Sequence, residues 1–290
     1  MPFVTRFAPS PTGYLHLGHA YSALAAFDAV TGCGGTFLLR IEDIDHTRCR
    51  PEFVASIFDD LAWLGLSWVA PVWFQSRRMD VYRSALARLT DGGLVYPCFC
   101  SRTDIRRAAT RTGPEGPVYP GTCRDLGEAE ITRHLAAGKV PAWRLDMARA
   151  LRHLGGVVDW PVAGVDGSAT TQHWPSAPDD PQAGDDVVLA RRDIGTSYHL
   201  SVTVDDAAQG VTHVIRGRDL LHATPVHVVL QRLLGLSTPV YRHHMLLTDE
   251  DGRKLAKRRG SPSLRAMRED GIDGLALAGD IRSRLRAETN

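Results

Sequence analysis

The chain lacks any long apolar segment, and its N-terminus lacks the basic-then-apolar pattern of a secretion signal. Because no run of 18 apolar residues occurs, the sequence predicts no membrane-spanning helix, and we expect a cytoplasmic protein. Its 290 residues are 43% hydrophobic and 23% charged, with a formal net charge of +1. These values are typical of a soluble protein with one large or two smaller domains.

Lysine is almost absent, since 31 of the 34 basic residues are arginine. Two of the three lysines, Lys254 and Lys257, lie together in GRKLAKRRG. The lysine ammonium is a compact charge on a flexible side chain, whereas the arginine guanidinium is planar and rigid. A site where negative charge shifts along a triphosphate during reaction therefore favours lysine. The alternative is a chance cluster on a solvated loop.

Cysteine is also scarce, with five in the chain, and a cytoplasmic location favours thiols or metal ligands over disulfides. In CxC, Cys98 and Cys100 lie on one face of an extended strand, where they can bind one Zn²⁺ together with Cys123. The residues themselves leave the fourth ligand open among Tyr119, His134 and a water. Free thiols are the alternative to zinc. The other two cysteines are expected to be ordinary buried or partly buried thiols: Cys33 and Cys49.

The most informative segment that is present is PSPTGYLHLGH, residues 9–19. An apolar run precedes it and a helical pattern follows, so it is predicted to form a strand-to-helix turn. Such turns bind nucleotide phosphates, because unpaired N–H groups and the helix dipole favour an anion. The spacing of His16 and His19 puts both imidazoles on one face of the first turn. A Gly-rich turn with two surface histidines is the alternative.

The hydrophobic pattern predicts an α/β fold with a doubly wound parallel sheet. Strands are expected at 3–7 and 35–41, and helices at 17–31, from Pro51 onward and at about 77–89. Further strands are expected at 186–190, 198–204 and 211–216, with a helix at about 220–234. The polar stretch 163–184 is predicted to be a disordered or weakly ordered surface loop. The pattern predicts four parts: 1–94 and 185–235 as halves of a nucleotide-binding domain, 95–184 as an inserted subdomain and 236–290 as a short helical C-terminal region.

Several motifs together resemble one enzyme family. PSPTGYLHLGH and KLAKR (254–258) are similar to the two signature motifs of class I aminoacyl-tRNA synthetases. RFAPSPTG (6–13), RIEDID (40–45), YHL (198–200) and VIRGRDLL (214–221) resemble the glutamyl branch, since glutaminyl enzymes typically have RFPPEPNG at the first of these. The resemblance covers nearly the whole chain and implies a Rossmann-like core, glutamate activation by ATP, and Mg²⁺ accompanying the ATP.

The resemblance also implies roles for individual residues. His16, His19 and Lys257 would be catalytic, contacting ATP phosphates and the departing pyrophosphate. The implied ATP-binding residues are Pro9, Gly13, His16, Gly18, His19, Lys254 and Lys257. The family usually has serine where this chain has Ala256, which removes one hydroxyl contact and leaves the lysine charge in place.

For glutamate, the resemblance implies arginines that pair with two carboxylates and an acid that pairs with the ammonium. The implied glutamate-binding residues are Arg6, Ala8, Ser10, Glu42, Tyr198 and Arg216. We expect Arg6 and Tyr198 at the side-chain carboxylate and Arg216 at the α-carboxylate. The family's CxC…YxxxC pattern makes Tyr119 the fourth zinc ligand beside the three cysteines.

Ordinary members of the branch continue after KLAKR with an anticodon-binding region, and only 32 residues follow Arg258 here. A core without that region resembles the glutamyl-Q tRNA(Asp) synthetase family, which implies transfer of glutamate to the queuosine of tRNA(Asp). We expect a monomer. The alternatives are a truncated or split glutamyl-tRNA synthetase charging tRNA(Glu) and a non-catalytic RNA-binding paralogue. Five arginines near the predicted zinc site can contact tRNA phosphates or simply face solvent: Arg102, Arg106, Arg107, Arg111 and Arg124.

Overall fold

The computed structural model describes residues 2–164, 168–175, 185–247 and 262–287. The first part contains β1 (Val4–Phe7), α1 (Leu17–Thr31), β2 (Thr36–Ile41), α2 (Pro51–Trp63), β3 (Val69–Phe74), a 3-10 turn (Gln75–Arg78) and α3 (Met79–Asp91). These bounds confirm the predicted strands and helices of this part. Pro51 occupies the first turn of α2, where its missing N–H costs no hydrogen bond.

The middle part begins with the cysteine-bearing strand. Its elements are β4 (Val95–Cys98), α4 (Arg102–Ala108), β5 (Thr112–Gly113), β6 (Gly116–Pro117), α5 (Glu128–Ala136), β7 (Ala142–Leu145), α6 (Met147–His153), β8 (Val158–Ala163) and β9 (Ala169–Trp174). The prediction of a disordered loop at 163–184 is wrong for residues 169–174, because β9 pairs with β8 along its whole length. Residues 165–167 and 176–184 of that stretch lie outside the described part of the chain.

The last part contains β10 (Val188–Ala190), α7 (Tyr198–Ala208), β11 (His213–Gly217), a 3-10 turn (Arg218–Ala223), α8 (Thr224–Leu234), β12 (Val240–His244), α9 (Leu264–Glu269) and α10 (Gly274–Ala287). The predicted strands near 186–190 and 211–216 are confirmed, as is the helix near 220–234. The prediction of a strand at 198–204 is wrong, because these residues form most of α7. The β-branched residues 202–204 favour a strand, but the helix is buried from His199 to Asp206 and tertiary packing decides its conformation.

The strands that position the site are parallel. β1 pairs with β2, β2 with β3, and β11 with β12, all in parallel register. Val4 of β1 donates its N–H to the Thr212 hydroxyl at 2.8 Å and accepts the Thr212 N–H at 2.9 Å, so β11 lies beside β1. The strand order therefore reverses between β1 and β11, as expected for a doubly wound sheet. Ligands bind at the carboxyl ends of strands at such a reversal.

The remaining strands flank this centre. β8 pairs with β12 in parallel at one residue and with β9 in antiparallel register, while β10, β7 and β4 form a separate antiparallel sheet. Thus β10 joins the sheet of the cysteine-bearing segment, whereas β8 joins that of β11. The division of the chain at residues 94, 184 and 235 stays a prediction. No helix in the described ranges has the length and apolar character needed to cross a membrane.

Candidate active site

The turn between β1 and α1 ends in two adjacent imidazoles. His16 caps α1 and accepts the Gly18 N–H on Nδ1 at 3.1 Å, while His19 accepts the His16 N–H on its own Nδ1 at 3.1 Å. The ring centroids are 3.8 Å apart. A neutral ring that accepts on Nδ1 carries its proton on Nε2, so each imidazole presents one N–H donor at a helix N-terminus. This arrangement suits an anion.

Gly18 leaves room for the imidazole of His16. A Cβ at position 18 would lie 3.0 Å from Cε1 and 3.2 Å from Nδ1 of that ring, which is closer than ordinary contact. A side chain there would force the capping ring to shift by a few tenths of an ångström. The glycine therefore serves the histidine geometry, whether or not a nucleotide ring also lies against it.

The predicted lysine loop lies outside the described residues, so Lys254, Ala256 and Lys257 have no described position. The described residues on either side of this segment border the histidine turn or its cavity. Leu247 lines the same cavity as the two imidazoles. On the other side, Ser263 forms a β-bridge with His16, and the Leu264 N–H donates to the carbonyl of Leu15 at 2.8 Å.

One cavity of about 540 Å³ opens at the carboxyl ends of β1, β2 and β11. It is lined by every residue predicted to bind glutamate: Arg6, Ala8, Ser10, Glu42, Tyr198 and Arg216. Of the described residues predicted to bind ATP, Pro9, His16, Gly18 and His19 line it, and Gly13 does not. The structure thus brings together, from three strands and two helices, residues that are up to 210 positions apart in sequence.

Arg6 is already paired with a carboxylate. Its Nε and Nη2 donate to the two carboxylate oxygens of Asp206 at 2.9 and 3.1 Å. Asp206 also accepts from Arg40 at 2.7 Å, and Arg40 is fully buried. Burial would raise the pKa of Asp206, but the two guanidinium groups hold it below its ordinary value.

The neighbouring carboxylate of Asp205 extends this cluster. It accepts from Arg78 and from the Tyr82 hydroxyl, each at 2.7 Å, and from Gln75 at 3.1 Å. We call the six charged residues together the buried charge network: Arg6, Arg40, Arg78, Glu42, Asp205 and Asp206. The network fixes Arg6 and Glu42 relative to α7.

Arg216 is also buried, with 5% of its surface exposed, but its partners differ from those of Arg6. It donates to His243, His227 and the Tyr198 hydroxyl at 3.2 Å each, and to Thr224 at 2.7 Å. Burial, together with the charge of Arg216, lowers the pKa of His243 to about 3 and that of His227 well below its usual value, so both imidazoles are neutral. None of the hydrogen bonds that Arg216 makes to the described residues goes to a carboxylate. A buried guanidinium with only neutral partners is a ready site for an anion.

Glu42 is the complementary feature, because it is a buried carboxyl group with an unused oxygen. Its Oε1 is 3.6 Å from Arg40, and no donor among the described residues hydrogen-bonds to it. Burial raises the pKa of Glu42 to about 7, although Arg40 and Arg6 act to lower it. An ammonium group bound here would supply the missing donor and favour the ionised form.

The hydroxyl of Tyr198 lies at Arg216, whose Nη1 donates to it at 3.2 Å. Sequence reasoning expected Tyr198 to act with Arg6, but Arg6 binds Asp206 through two of its nitrogens. The described contacts therefore group Tyr198 with Arg216 on one side of the cavity.

The three predicted cysteine ligands also converge. The Sγ atoms of Cys98, Cys100 and Cys123 all lie within 4.8 Å of one another, and those of Cys100 and Cys123 are 3.5 Å apart. Thiolates around one tetrahedral Zn²⁺ at about 2.3 Å would be about 3.8 Å apart, so this cluster can bind a metal. The Tyr119 hydroxyl lies 3.9 Å from the Cys100 sulfur and accepts the Cys123 N–H at 2.7 Å.

The other proposed fourth ligand, His134, is not in this group of ligand atoms and its ring packs against Phe99. Burial raises the pKa of the Cys100 thiol to about 12, whereas hydrogen bonds from Tyr119 and the Phe99 N–H outweigh burial and lower the pKa of the Cys123 thiol.

The remaining two cysteines lie outside this cluster. Cys49 is half-buried as expected, but Cys33 is exposed, so the prediction of burial is wrong for it.

A second, larger cavity of about 920 Å³ lies between the cysteine cluster and the first cavity. Four residues line both cavities: Ser10, Thr12, Glu42 and Tyr198. Of the five arginines near the cysteines, Arg124 pairs with Asp186 and Arg111 with Asp185. Arg102 lines the larger cavity.

Sequence reasoning missed the residues that hydrogen-bond to Arg6 and Arg216 and so decide whether each guanidinium is already paired with a carboxylate. Asp205 and Asp206 follow YHL after four intervening residues (201–204), and Arg40 begins RIEDID, but no spacing rule links these segments. His227 and His243 lie outside every motif singled out. For His227, its place among apolar residues of the helix predicted at about 220–234 was the one available signal, whereas the strand that carries His243 was not predicted.

Comparisons with known proteins agree with this geometry. A family model described as "tRNA synthetases class I (E and Q), catalytic domain" matches residues 2–284. A Rhodobacter capsulatus protein named glutamyl-Q tRNA(Asp) synthetase is 50% identical over 287 residues, covering 96% of this chain and 98% of the relative. A protein of the same name from Symbiobacterium thermophilum is 42% identical, covering 95% and 84% respectively.

Two solved structures resemble the chain with 26% identity over 91% of its length. One is a glutamate-tRNA synthetase from Elizabethkingia anophelis, with a TM-score of 0.73. The other is a glutamate tRNA ligase from Elizabethkingia meningosepticum in complex with its amino acid, with a TM-score of 0.69. The chain spans 55% and 54% of the lengths of these two proteins.

Proposed function

Because the chain belongs to the class I tRNA synthetase family specific for glutamate and glutamine, we propose that it activates L-glutamate with ATP and transfers it to the queuosine of tRNA(Asp). Two relatives that match nearly the whole chain carry the name of that activity. One observation carries the choice of amino acid. A buried guanidinium with only neutral partners and a buried carboxyl with an unused oxygen line the same cavity.

This pair complements an amino acid with an extra carboxylate. Arg216 and the Tyr198 hydroxyl would hold one carboxylate through charge-assisted hydrogen bonds. Arg6, oriented by Asp206, would hold the other, and Glu42 would accept from the ammonium with help from Ser10. Ala8 would contribute main-chain contact at the cavity wall. Preorganised groups of this kind lower the cost of orienting the substrate before reaction.

In the activation step, the glutamate carboxylate attacks the α-phosphorus of ATP and pyrophosphate leaves. Negative charge gathers on phosphoryl oxygens, so donors that already point at them stabilise the transition state. His16 and His19 would donate from Nε2, because the backbone occupies their Nδ1 atoms. Lys254 and Lys257 would add positive charge at the phosphates, and Ser263, which follows their segment, forms a β-bridge with His16.

Two metals are part of the proposal. Mg²⁺ would accompany ATP and neutralise phosphate charge when bound. Zn²⁺ would be held by Cys98, Cys100, Cys123 and Tyr119, where its role is structural because the three thiols and the phenol can complete a closed tetrahedral site. The cluster would tie β4 to the loop before α5.

The decisive experiment supplies radiolabelled glutamate and ATP with tRNA from cells that contain or lack queuosine. We expect pyrophosphate exchange without tRNA, and label only on queuosine-containing tRNA(Asp). Arg216→Gln should lower glutamate-dependent exchange by roughly 30-fold or more, because the buried charge pair between Arg216 and a carboxylate of the bound glutamate is lost. Arg152→Gln, at an exposed arginine, is the matched control and should behave as wild type. Label on tRNA(Glu) would refute the proposed acceptor.

A further inference from the structure

A line of hydrogen bonds leads from Arg216 out of the first cavity and into the second. Arg216 Nη1 lies 3.2 Å from Nδ1 of His227, and Nε2 of His227 lies 3.2 Å from Nδ1 of His199. Beyond it, Nε2 of His199 is 3.9 Å from a carboxylate oxygen of Glu115. His199 and Glu115 both line the larger cavity, which also contains part of the glutamate site.

The guanidinium fixes the direction of every donor in this line. Arginine can only donate, so Nδ1 of His227 must accept. Burial lowers the pKa of both imidazoles, that of His199 to about 4, so each is neutral and has one donor and one acceptor. His227 therefore donates from Nε2 to His199, and His199 carries its own proton on Nε2, facing Glu115. The larger cavity thus contains a donor of fixed orientation beside a carboxylate.

Glu115 is held in this position from the opposite side. It lies between β5 and β6, at the tip of the hairpin they form, and its Oε1 is 3.2 Å from Nε2 of His222. The 3.9 Å gap between Glu115 and His199 is too long for a hydrogen bond. One oxygen atom between them can lie at about 2.8 Å from both, accepting from the imidazole and donating to the carboxylate. A hydroxyl group has this combination of acceptor and donor.

We propose that His199 and Glu115 bind the acceptor hydroxyl that receives the glutamyl group, an inference that rests on the proposed function. In the transfer step, the hydroxyl oxygen forms a bond to the carbonyl carbon of glutamyl-adenylate. The bond from that carbon to the adenylate phosphate oxygen breaks, and AMP leaves with the electron pair. The hydroxyl proton passes to Glu115. His199 keeps its proton and orients the nucleophile, so Glu115 is the base of the second step only.

The test compares two activities of the same protein. Pyrophosphate exchange without tRNA reports activation and an intact fold, and single-turnover transfer to queuosine-containing tRNA(Asp) reports the second step. For Glu115→Gln we expect the ratio of transfer rate to exchange rate to fall about tenfold or more, because a hydrogen bond to a charged group is lost. The tRNA concentration at half-maximal rate should change less than twofold. The matched control is Glu130→Gln, an exposed acid of the same segment.

His222→Gln separates the proposed role from a structural one. If Glu115 only held the hairpin against His222, both variants would lose transfer equally, and that result would overturn the proposal. An unchanged ratio in Glu115→Gln would overturn it too. If the wild-type protein charges tRNA(Glu), the proposed acceptor is wrong, but the same comparison still tests Glu115 because the terminal ribose presents a hydroxyl as well.

Discussion

The raised pKa of Glu42 makes glutamate binding sensitive to pH in the neutral range. Burial raises this pKa to about 7, so Glu42 is half protonated near neutrality before substrate binds. A protonated carboxyl cannot pair with the ammonium, so binding should weaken as the pH falls through 7. With a pKa of about 7, the ionised fraction falls from about nine-tenths at pH 8 to about one-tenth at pH 6. We therefore expect KM for glutamate to be about tenfold higher at pH 6 than at pH 8.

The assay is glutamate-dependent pyrophosphate exchange at saturating ATP, with KM measured from pH 6 to pH 8. Glu42→Gln is the control, because it keeps the size of the side chain and removes the titration. Its KM should be raised by roughly 30-fold or more and should no longer follow this pH dependence. A wild-type KM that is constant over this range would refute the reasoning. So would the same pH dependence in Glu42→Gln, because another group would then be responsible.

Three further outcomes are expected. Asp206→Asn removes the carboxylate that hydrogen-bonds to both Arg6 and Arg40, so the free energy of unfolding in urea should fall by about 3–5 kcal/mol. Cys100→Ser should reduce bound zinc, measured by elemental analysis, well below one per chain, whereas Cys33→Ser at the exposed cysteine should not. Ala256→Ser should lower KM for ATP by about two- to tenfold, the value of one added hydrogen bond, and an unchanged KM would mean that the missing hydroxyl is immaterial.

The strand-to-helix turn could be predicted from sequence because its information is local. Glycine, histidine spacing and the following helical pattern all lie within PSPTGYLHLGH, and the structure places both imidazoles at the start of α1. The error at 198–204 has the opposite cause. The β-branched residues 202–204 carry a local preference for a strand, but burial of α7 between neighbouring elements outweighs it.

The arginines show a second limit of sequence reasoning. Arg6 and Arg216 have the same side chain, and motif position alone assigned each to one carboxylate. Their difference comes from partners distant in sequence, because Asp206 occupies most of Arg6 while Arg216 has neutral partners. The packing of α7 and α8 against the sheet decides which guanidinium has a carboxylate partner and which has only neutral partners.

This difference gives the site a charge that matches one kind of amino acid. With Glu42 ionised, the buried charge network contains three guanidinium groups and three carboxylates, so it is neutral. Arg216 then adds one buried positive charge that its neutral partners do not compensate. Glutamate carries one net negative charge and restores neutrality when it binds, whereas glutamine carries none and leaves the buried cation uncompensated. Since an uncompensated buried charge is costly, we expect glutamine to bind more weakly than glutamate without any steric barrier, whichever of its carboxylates glutamate places at Arg216.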